Sequence, residues 1–204
     1  EKLAKEITGA TKINYQGQKI DFKAPFQCIT LKEAIKKYAG INPDDEKAIK
    51  NEVKKLGLKG THDEMVEAIF KERVEAKLIQ PTFITDYPKS ICPLTKEHRK
   101  NKDEVERFEL FINGVELANA YSELNDPVEQ EKRLKEQLKR REQSERFKPH
   151  FEANVLDDDF ITAMKHGMPP AGGLGLGIDR LVLLLTDSPS IRDVILFPFM
   201  RPQE

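Results

Sequence analysis

The chain has 204 residues, enough for one domain with a substantial core, or for one large domain with an insertion. Its 34 Lys and Arg against 35 Asp and Glu leave a formal charge of -1, so no bulk field points to a nucleic-acid or membrane partner. With 34% charged and 38% hydrophobic residues, the composition argues against a disordered or membrane-spanning chain and for a cytoplasmic one.

Residues 1–8 read as a helix. Lys12–Tyr15 and residues 19–22 flank Gln16-Gly17 and predict a small hairpin. Thr30 followed by Glu33 is a capping-box signal, and Leu31, Ala34, Ile35 and Tyr38 place an apolar stripe on the helix behind it. A turn at Asn42-Pro43-Asp44 leads to a helix near 46–56. Thr61 with Glu64 repeats the cap before a longer helix carrying Val66, Ile69, Phe70 and Val74 at helical spacing. Residues 78–85 predict a strand, with Pro81 at an edge or a strand start, and 86–103 a polar connection. Cys28 and Cys92 have no Cys-x-x-Cys spacing, so they are expected as reduced thiols, one of them in the core.

The spans 107–112 and 115–121 alternate around Asn113-Gly114, a dipeptide suited to a type I′ turn, and predict a hairpin. Residues 127–147 are almost wholly charged and read as a solvated helix. Its Lys132, Arg133, Lys135, Lys139, Arg140 and Arg141 are interleaved with glutamates, which argues against an RNA-binding face. After an acidic turn at Asp157-Asp158-Asp159 a short helix runs to His166, a glycine-studded strand spans 172–177, a helix spans Ile178–Leu185, and a turn at 190–194 precedes an apolar end, 195–200. Helices and hairpins in irregular order predict an α+β fold, an antiparallel sheet flanked by helices.

A two-residue turn makes cross-strand partners sum to 227, so Glu109 is expected opposite Ala118 and Glu116 opposite Phe111. Both carboxylates then leave the same face, with Phe108, Leu110, Leu117 and Asn119 on the other. Two readings stand side by side: solvent-facing glutamates on an amphipathic hairpin, or a pair holding Mg²⁺ with positions left for water and phosphate. Gly172, Gly173, Gly175 and Gly177 weaken a strand unless another group approaches its backbone, and they match neither the dinucleotide nor the P-loop pattern. Arg180, in the first turn of an apolar helix, opposes the macrodipole and calls for an anion: a phosphate, or an acid such as Asp179. His62, His98, His150 and His166 share no ligand spacing and are expected at the surface or in caps.

The segment 107–127, Arg-Phe-Glu-Leu-Phe-Ile-Asn-Gly-Val-Glu-Leu-Ala-Asn-Ala-Tyr-Ser-Glu-Leu-Asn-Asp-Pro, closely resembles the signature hairpin of class II lysyl-tRNA synthetases. Residues 173–181, Gly-Leu-Gly-Leu-Gly-Ile-Asp-Arg-Leu, resemble motif 3 of that class, and 80–88 and 193–198 are also lysyl-like. The resemblance implies a class II catalytic-domain fold, a homodimer, and lysine, ATP and tRNA(Lys) as substrates. It implies Glu109 and Glu116 as Mg²⁺–ATP ligands, and Asn119, Tyr121, Glu123 and Gly175 around the lysine. Gly177 and Asn119 would lie at the nucleotide, and Arg180 would hold the γ-phosphate. Glu123 complements a substrate ammonium, where aspartyl and asparaginyl relatives carry an arginine. Cys92 and Thr95 depart from a usual Ser-Pro-Leu-Ala, and 129–150 is divergent.

On this resemblance residues 1–204 are expected to be the C-terminal portion of the catalytic domain, without the OB-fold, motif 1 or motif 2, and weak or inactive alone. A protein-lysylating paralogue and a non-catalytic binding fragment are the alternatives. The assignment makes one geometric demand. Glu116 and Asn119 are three apart, so a regular strand would point them oppositely, and a shared site requires a β-bulge around 117–119.

Overall fold

A computed structural model describes residues 1–143 and 157–199. A central five-stranded sheet has the order β3-β4-β5-β6-β7, made of β3 (Gln27–Thr30), β4 (Thr82–Pro88), β5 (Glu104–Ile112), β6 (Val115–Ser122) and β7 (Gly172–Leu176). The hairpin β1 (Lys12–Tyr15) and β2 (Gln18–Asp21) stands apart as its own two-stranded sheet. Three of the four pairings in the large sheet are antiparallel, as expected, but β3 runs parallel to β4. The sheet is therefore mixed. Its parallel pair is joined through α2 (Leu31–Ala34, continued by a π-helical turn Ile35–Ala39), α3 (Glu46–Lys55) and α4 (His62–Arg73). A parallel pair needs such a crossover, and β3, only four residues long, carries no periodic signal of its own.

Both capping boxes form. Thr30 and Thr61 accept from the backbone N–H groups of Glu33 and Glu64, whose carboxylates return to the cap N–H groups. The apolar stripes they start are buried. Leu31, Ile35, Ile49, Val53, Ile69, Phe70 and Val74 pack with Ile84, Val105 and Phe111 on one sheet face. Full burial of each large side chain there contributes about 1.5–3 kcal/mol. Leu110, Ile112, Leu117 and Ala118 look the other way and pack with Ala4 of α1 (Lys2–Thr8), with Tyr15 and Ile20, and with Leu184 of α7 (Ile178–Leu185). Pleat alternation thus divides one sheet between two cores.

The strand expected over 78–85 spans 82–88, with Pro81 at its start, one of the two places expected for that residue. Strand β4 begins after Pro81, which has no N–H for a ladder. The preceding Leu78 and Ile79 instead offer their carbonyls to the N–H groups of Gly114 and Asn113, pinning the hairpin turn. The strand then continues to Pro88 through a register shift between Thr85 and Tyr87, where Asp86, at a positive φ of 59°, stands against both Glu106 and Arg107. The extra residue lies on β5, and the shift places Tyr87 opposite Val105, on the face that carries Ile84.

Helix α5 (Pro127–Gln143) is less solvated than its composition suggests, since Gln130, Arg133 and Leu134 are buried. Gln130 donates to the Pro93 carbonyl at 3.0 Å and Arg133 to the Thr95 carbonyl at 2.7 Å. Leu134 packs on Ile161 and Met164 of α6 (Asp158–Lys165). Positions 130, 133, 134 and 137 share a helical stripe whose buried members are mostly polar, so hydrophobic periodicity does not mark it. Residues 144–147 of the expected helix, His150 and Met200 lie outside the described residues.

Candidate functional site

The β5–β6 hairpin turns through Asn113 (φ 51°) and Gly114 (φ 72°), the left-handed pair of a type I′ turn. Partners sum to 227 next to the turn, Ile112 with Val115 and Phe111 with Glu116. Beyond Phe111 the register shifts, and Leu110 faces Ala118 while Glu109 faces Asn119. Leu117 is the extra residue. The anticipated bulge is present, so Glu116 and Asn119 leave the same face, together with Glu109. Two expectations are thereby corrected: Glu109 lies opposite Asn119, not Ala118, and Asn119 shares the carboxylate face. A uniform ladder does not allow for the inserted residue.

Tyr121, paired with Arg107 and Gly173, continues that face, and Gly175 pairs with Asn119. A cleft of about 950 Å³ opens over it, walled by the hairpin, the end of α4 and the 90–95 loop. Its lining includes Glu109, Glu116, Asn119, Tyr121 and Arg180, together with Glu67, Glu75, Tyr87, Cys92 and Arg107. Glu123, Gly175 and Gly177 are not part of that lining. Glu123 bridges to Thr95 just past the end of β6, with its carboxylate lying over Gly173. A Cβ on Gly173 would collide with Glu123 Oε1, whereas one on Gly175 would meet only the Asn119 carbonyl at 3.8 Å. Of the strand glycines, Gly173 is the one whose bareness makes room for a site carboxylate. Gly177 gives room to Arg180, whose Cδ would lie 3.2 Å from an added Cβ.

Glu109 is held from both sides. Tyr87 donates its hydroxyl to Oε2 at 2.6 Å, and Arg107 donates Nη2–H to Oε1. Burial lifts the Glu109 carboxyl above its ordinary value against the pull of Arg107 and Tyr87, and nearby Glu116 and Glu67 add to the lift. Arg180 satisfies its demand for an anion with Glu116, donating to its carbonyl and standing 3.6 Å from Oε2; Asp179 is not its partner. Across the cleft, burial pushes half-buried Glu75 up to about 7, opposed by Lys71 and reinforced by Glu109, Glu116 and Glu67. Burial also raises Glu123.

This oxygen-rich, anion-crowded wall suits a hard cation that takes one or two carboxylates and completes its shell with phosphate and water. Among the described residues no three acidic, His or Cys side chains gather into a ready-made metal cage. Cys28 is exposed and Cys92 buried, as reduced thiols. His98 accepts from the Lys100 and Asn101 N–H groups in a local cap. Arg107, Tyr87 and Glu75 are site residues that the sequence reading passed over. Arg107 stands two residues before Glu109 on the same face, and that period-2 spacing was an available signal.

A family model described as tRNA synthetases class II (D, K and N) matches residues 1–201. Among curated relatives, the lysine–tRNA ligase of Clostridium novyi (strain NT) is 49% identical over 98% of this chain and 40% of its own length. That of Porphyromonas gingivalis (strain ATCC BAA-308 / W83) is 47% identical over 100% of the chain and 36% of its own length. For Moorella thermoacetica the values are 49%, 99% and 42%. The chain thus spans 36–42% of the length of these relatives.

Proposed function

The chain belongs to the class II tRNA synthetases (D, K and N), and from that membership we propose that it serves lysine activation as part of a lysine–tRNA ligase. In this reading the lysine carboxylate attacks the ATP α-phosphate, pyrophosphate leaves, and lysyl-adenylate forms. The 3′-terminal adenosine of tRNA(Lys) then accepts the lysyl group and AMP departs. Residues 1–204 are read as the C-terminal portion of a catalytic domain whose protein works as a cytoplasmic homodimer.

The observation that carries this is the bulge at Leu117, which brings Asn119 and Tyr121 onto the face of Glu109 and Glu116, with Arg180 beside Glu116. Glu109 and Glu116 would hold Mg²⁺, which when bound screens the polyphosphate charge. Arg180 exchanges its contact with Glu116 for the γ-phosphate and so orients the leaving pyrophosphate. Asn119 offers an amide to the substrates, Tyr121 forms a wall between them, and Gly175 and Gly177 leave room for close approach. Glu123 takes the substrate ammonium. Its carboxyl is raised by burial, and among the described residues no basic side chain forms a salt bridge with it. A cation there restores the charged form, whereas an acidic side chain would be repelled. Rate acceleration then comes from positioning and charge stabilisation, with no covalent enzyme intermediate.

Lysine-dependent ATP–pyrophosphate exchange by the native protein tests this reading. Glu123→Gln is expected to lower kcat/KM for lysine by about 30-fold, the equivalent of ~2 kcal/mol for a truncated charge pair. Equal use of lysine and an uncharged amino acid by the unmodified protein would refute the assignment.

A further inference from the structure

Arg107 lies between the two ends of the cleft and donates to a residue at each of them, and to Cys92. Its side chain is 18% exposed. Nε–H goes to Asn119 Oδ1 at 3.1 Å, Nη1–H to Cys92 Sγ at 3.1 Å, and Nη2–H to Glu109 Oε1. The guanidinium carbon sits 4.6 Å from the centre of the Tyr87 ring, and Tyr87 itself holds the other oxygen of Glu109. The group is therefore stacked on one side and hydrogen-bonded along its rim.

We propose that Arg107 is the positioning residue that locks Glu109 and Asn119 into one rigid unit, joining the metal–nucleotide end of the site to the amino-acid end. A guanidinium has donors and no acceptor, so it can hold Asn119 only by the carbonyl oxygen. Arg107 thereby fixes the amide in the orientation that leaves both Nδ2 hydrogens for a ligand, a donor pair matched to a carboxylate or phosphate oxygen. Lysine could not replace it. One ammonium on a flexible stem cannot stack on Tyr87 while meeting two acceptors that lie across neighbouring strands. The carboxylate and the amide face each other in the β5–β6 ladder only because of the Leu117 bulge, so the bulge and the arginine act as one device. This deepens the reading of lysine activation above and rests on it.

The test is steady-state exchange kinetics on the native protein, with the number of active sites counted by an adenylate burst. Arg107→Lys is expected to raise KM for lysine and KM for MgATP together, each by about tenfold, the scale of one lost charge-assisted hydrogen bond. In an Asn119→Ala background the same change should no longer move KM for lysine. A purely architectural arginine would lower the burst and leave both KM values unchanged, and that result overturns the proposal. Tyr87→Phe retains the guanidinium and removes one support of Glu109, so it should raise KM for MgATP alone. A shift in both constants, or in neither, also overturns it, even if Arg107→Lys fails to fold. Absence of any lysine-dependent exchange by the unmodified protein brings down the reading of the reaction, and the inference with it. Exchange that is present but indifferent to Arg107→Lys removes the positioning role alone.

Discussion

At Glu75 and Gly173 the demands of a binding cleft run against the demands of a stable fold. Glu75 is lifted to about 7 by burial and by the surrounding carboxylates, so the folded state binds its proton more tightly than the unfolded chain does. Such a group favours folding when protonated, and its presence costs stability as pH rises from the unfolded value, near 4.5, through 7. Glu75→Gln should therefore stabilise the ligand-free protein at pH 8. After discounting for the solvent that still reaches the group, about 1–2 kcal/mol is expected, fading towards pH 4. Urea unfolding at the two pH values measures this, and a gain that does not depend on pH would contradict the assigned cause. At Gly173 the constraint is steric. Gly173→Ala places a methyl where the Glu123 carboxylate lies, so the carboxylate must swing away. KM for lysine should then rise by roughly tenfold with little loss of stability, since alanine in place of glycine within a strand is not itself unfavourable and Gly173 is only partly buried. An unchanged KM would mean that Glu123 does not need that position.

Among the elements, the β5–β6 hairpin decides the site, and its turn and its bulge do different work. The turn fixes the register of the first two pairs, and Gly114 serves it twice. It adopts φ 72°, and it lets the turn lie against the backbone of Ala76, whose Cα would be only 3.1 Å from an added Cβ. Gly114→Ala combines a left-handed penalty of about 1–2 kcal/mol with that crowding. A loss of about 2 kcal/mol is expected, read as a lower urea midpoint with an unchanged slope. The bulge then re-aims everything beyond Leu117. The dipeptide Asn113-Gly114 announces the turn, but no residue type announces the bulge. Its place follows only from the demand that two residues three apart share a site.

At the scale of the whole molecule, the two sheet faces are covered unequally. On the side of α2–α4 a continuous core covers the sheet up to the edge of the cleft, while beyond β7 a group of large apolar side chains faces outward: Leu174, Ile178, Leu196, Phe197 and Phe199 are each more than 60% exposed. Leu174 is on β7, which is an edge strand of the five-stranded sheet, so open backbone and open apolar surface coincide. Such a combination promotes association. The 204-residue polypeptide should bind a hydrophobic dye and sediment with a concentration-dependent average mass. The double variant Leu196→Asp and Phe197→Asp should reduce both effects without changing the unfolding free energy by more than about 0.5 kcal/mol, as for other exposed positions. Dye binding that persists undiminished would place the accessible surface elsewhere. Among the described residues no helix is long and apolar enough to cross a membrane.

What local chemistry dictates, the sequence determined by itself. The capping boxes at Thr30 and Thr61, the helix Ile178–Leu185, the left-handed turn at Asn113-Gly114 and the likeness to one family all rest on residues a few positions apart. Period-2 alternation also put Glu109 and Glu116 on one face. The tertiary structure decided the rest. It added β3 and its parallel pairing, buried the Arg133 stripe of a helix that looks solvated, and inserted Leu117 so that Asn119 joined the carboxylates. It also gathered Arg107, Tyr87 and Glu75 around them. In each case the deciding partner is distant in sequence, and a polar group under burial is placed by whatever can satisfy its hydrogen bonds and charge, which its immediate neighbours do not encode.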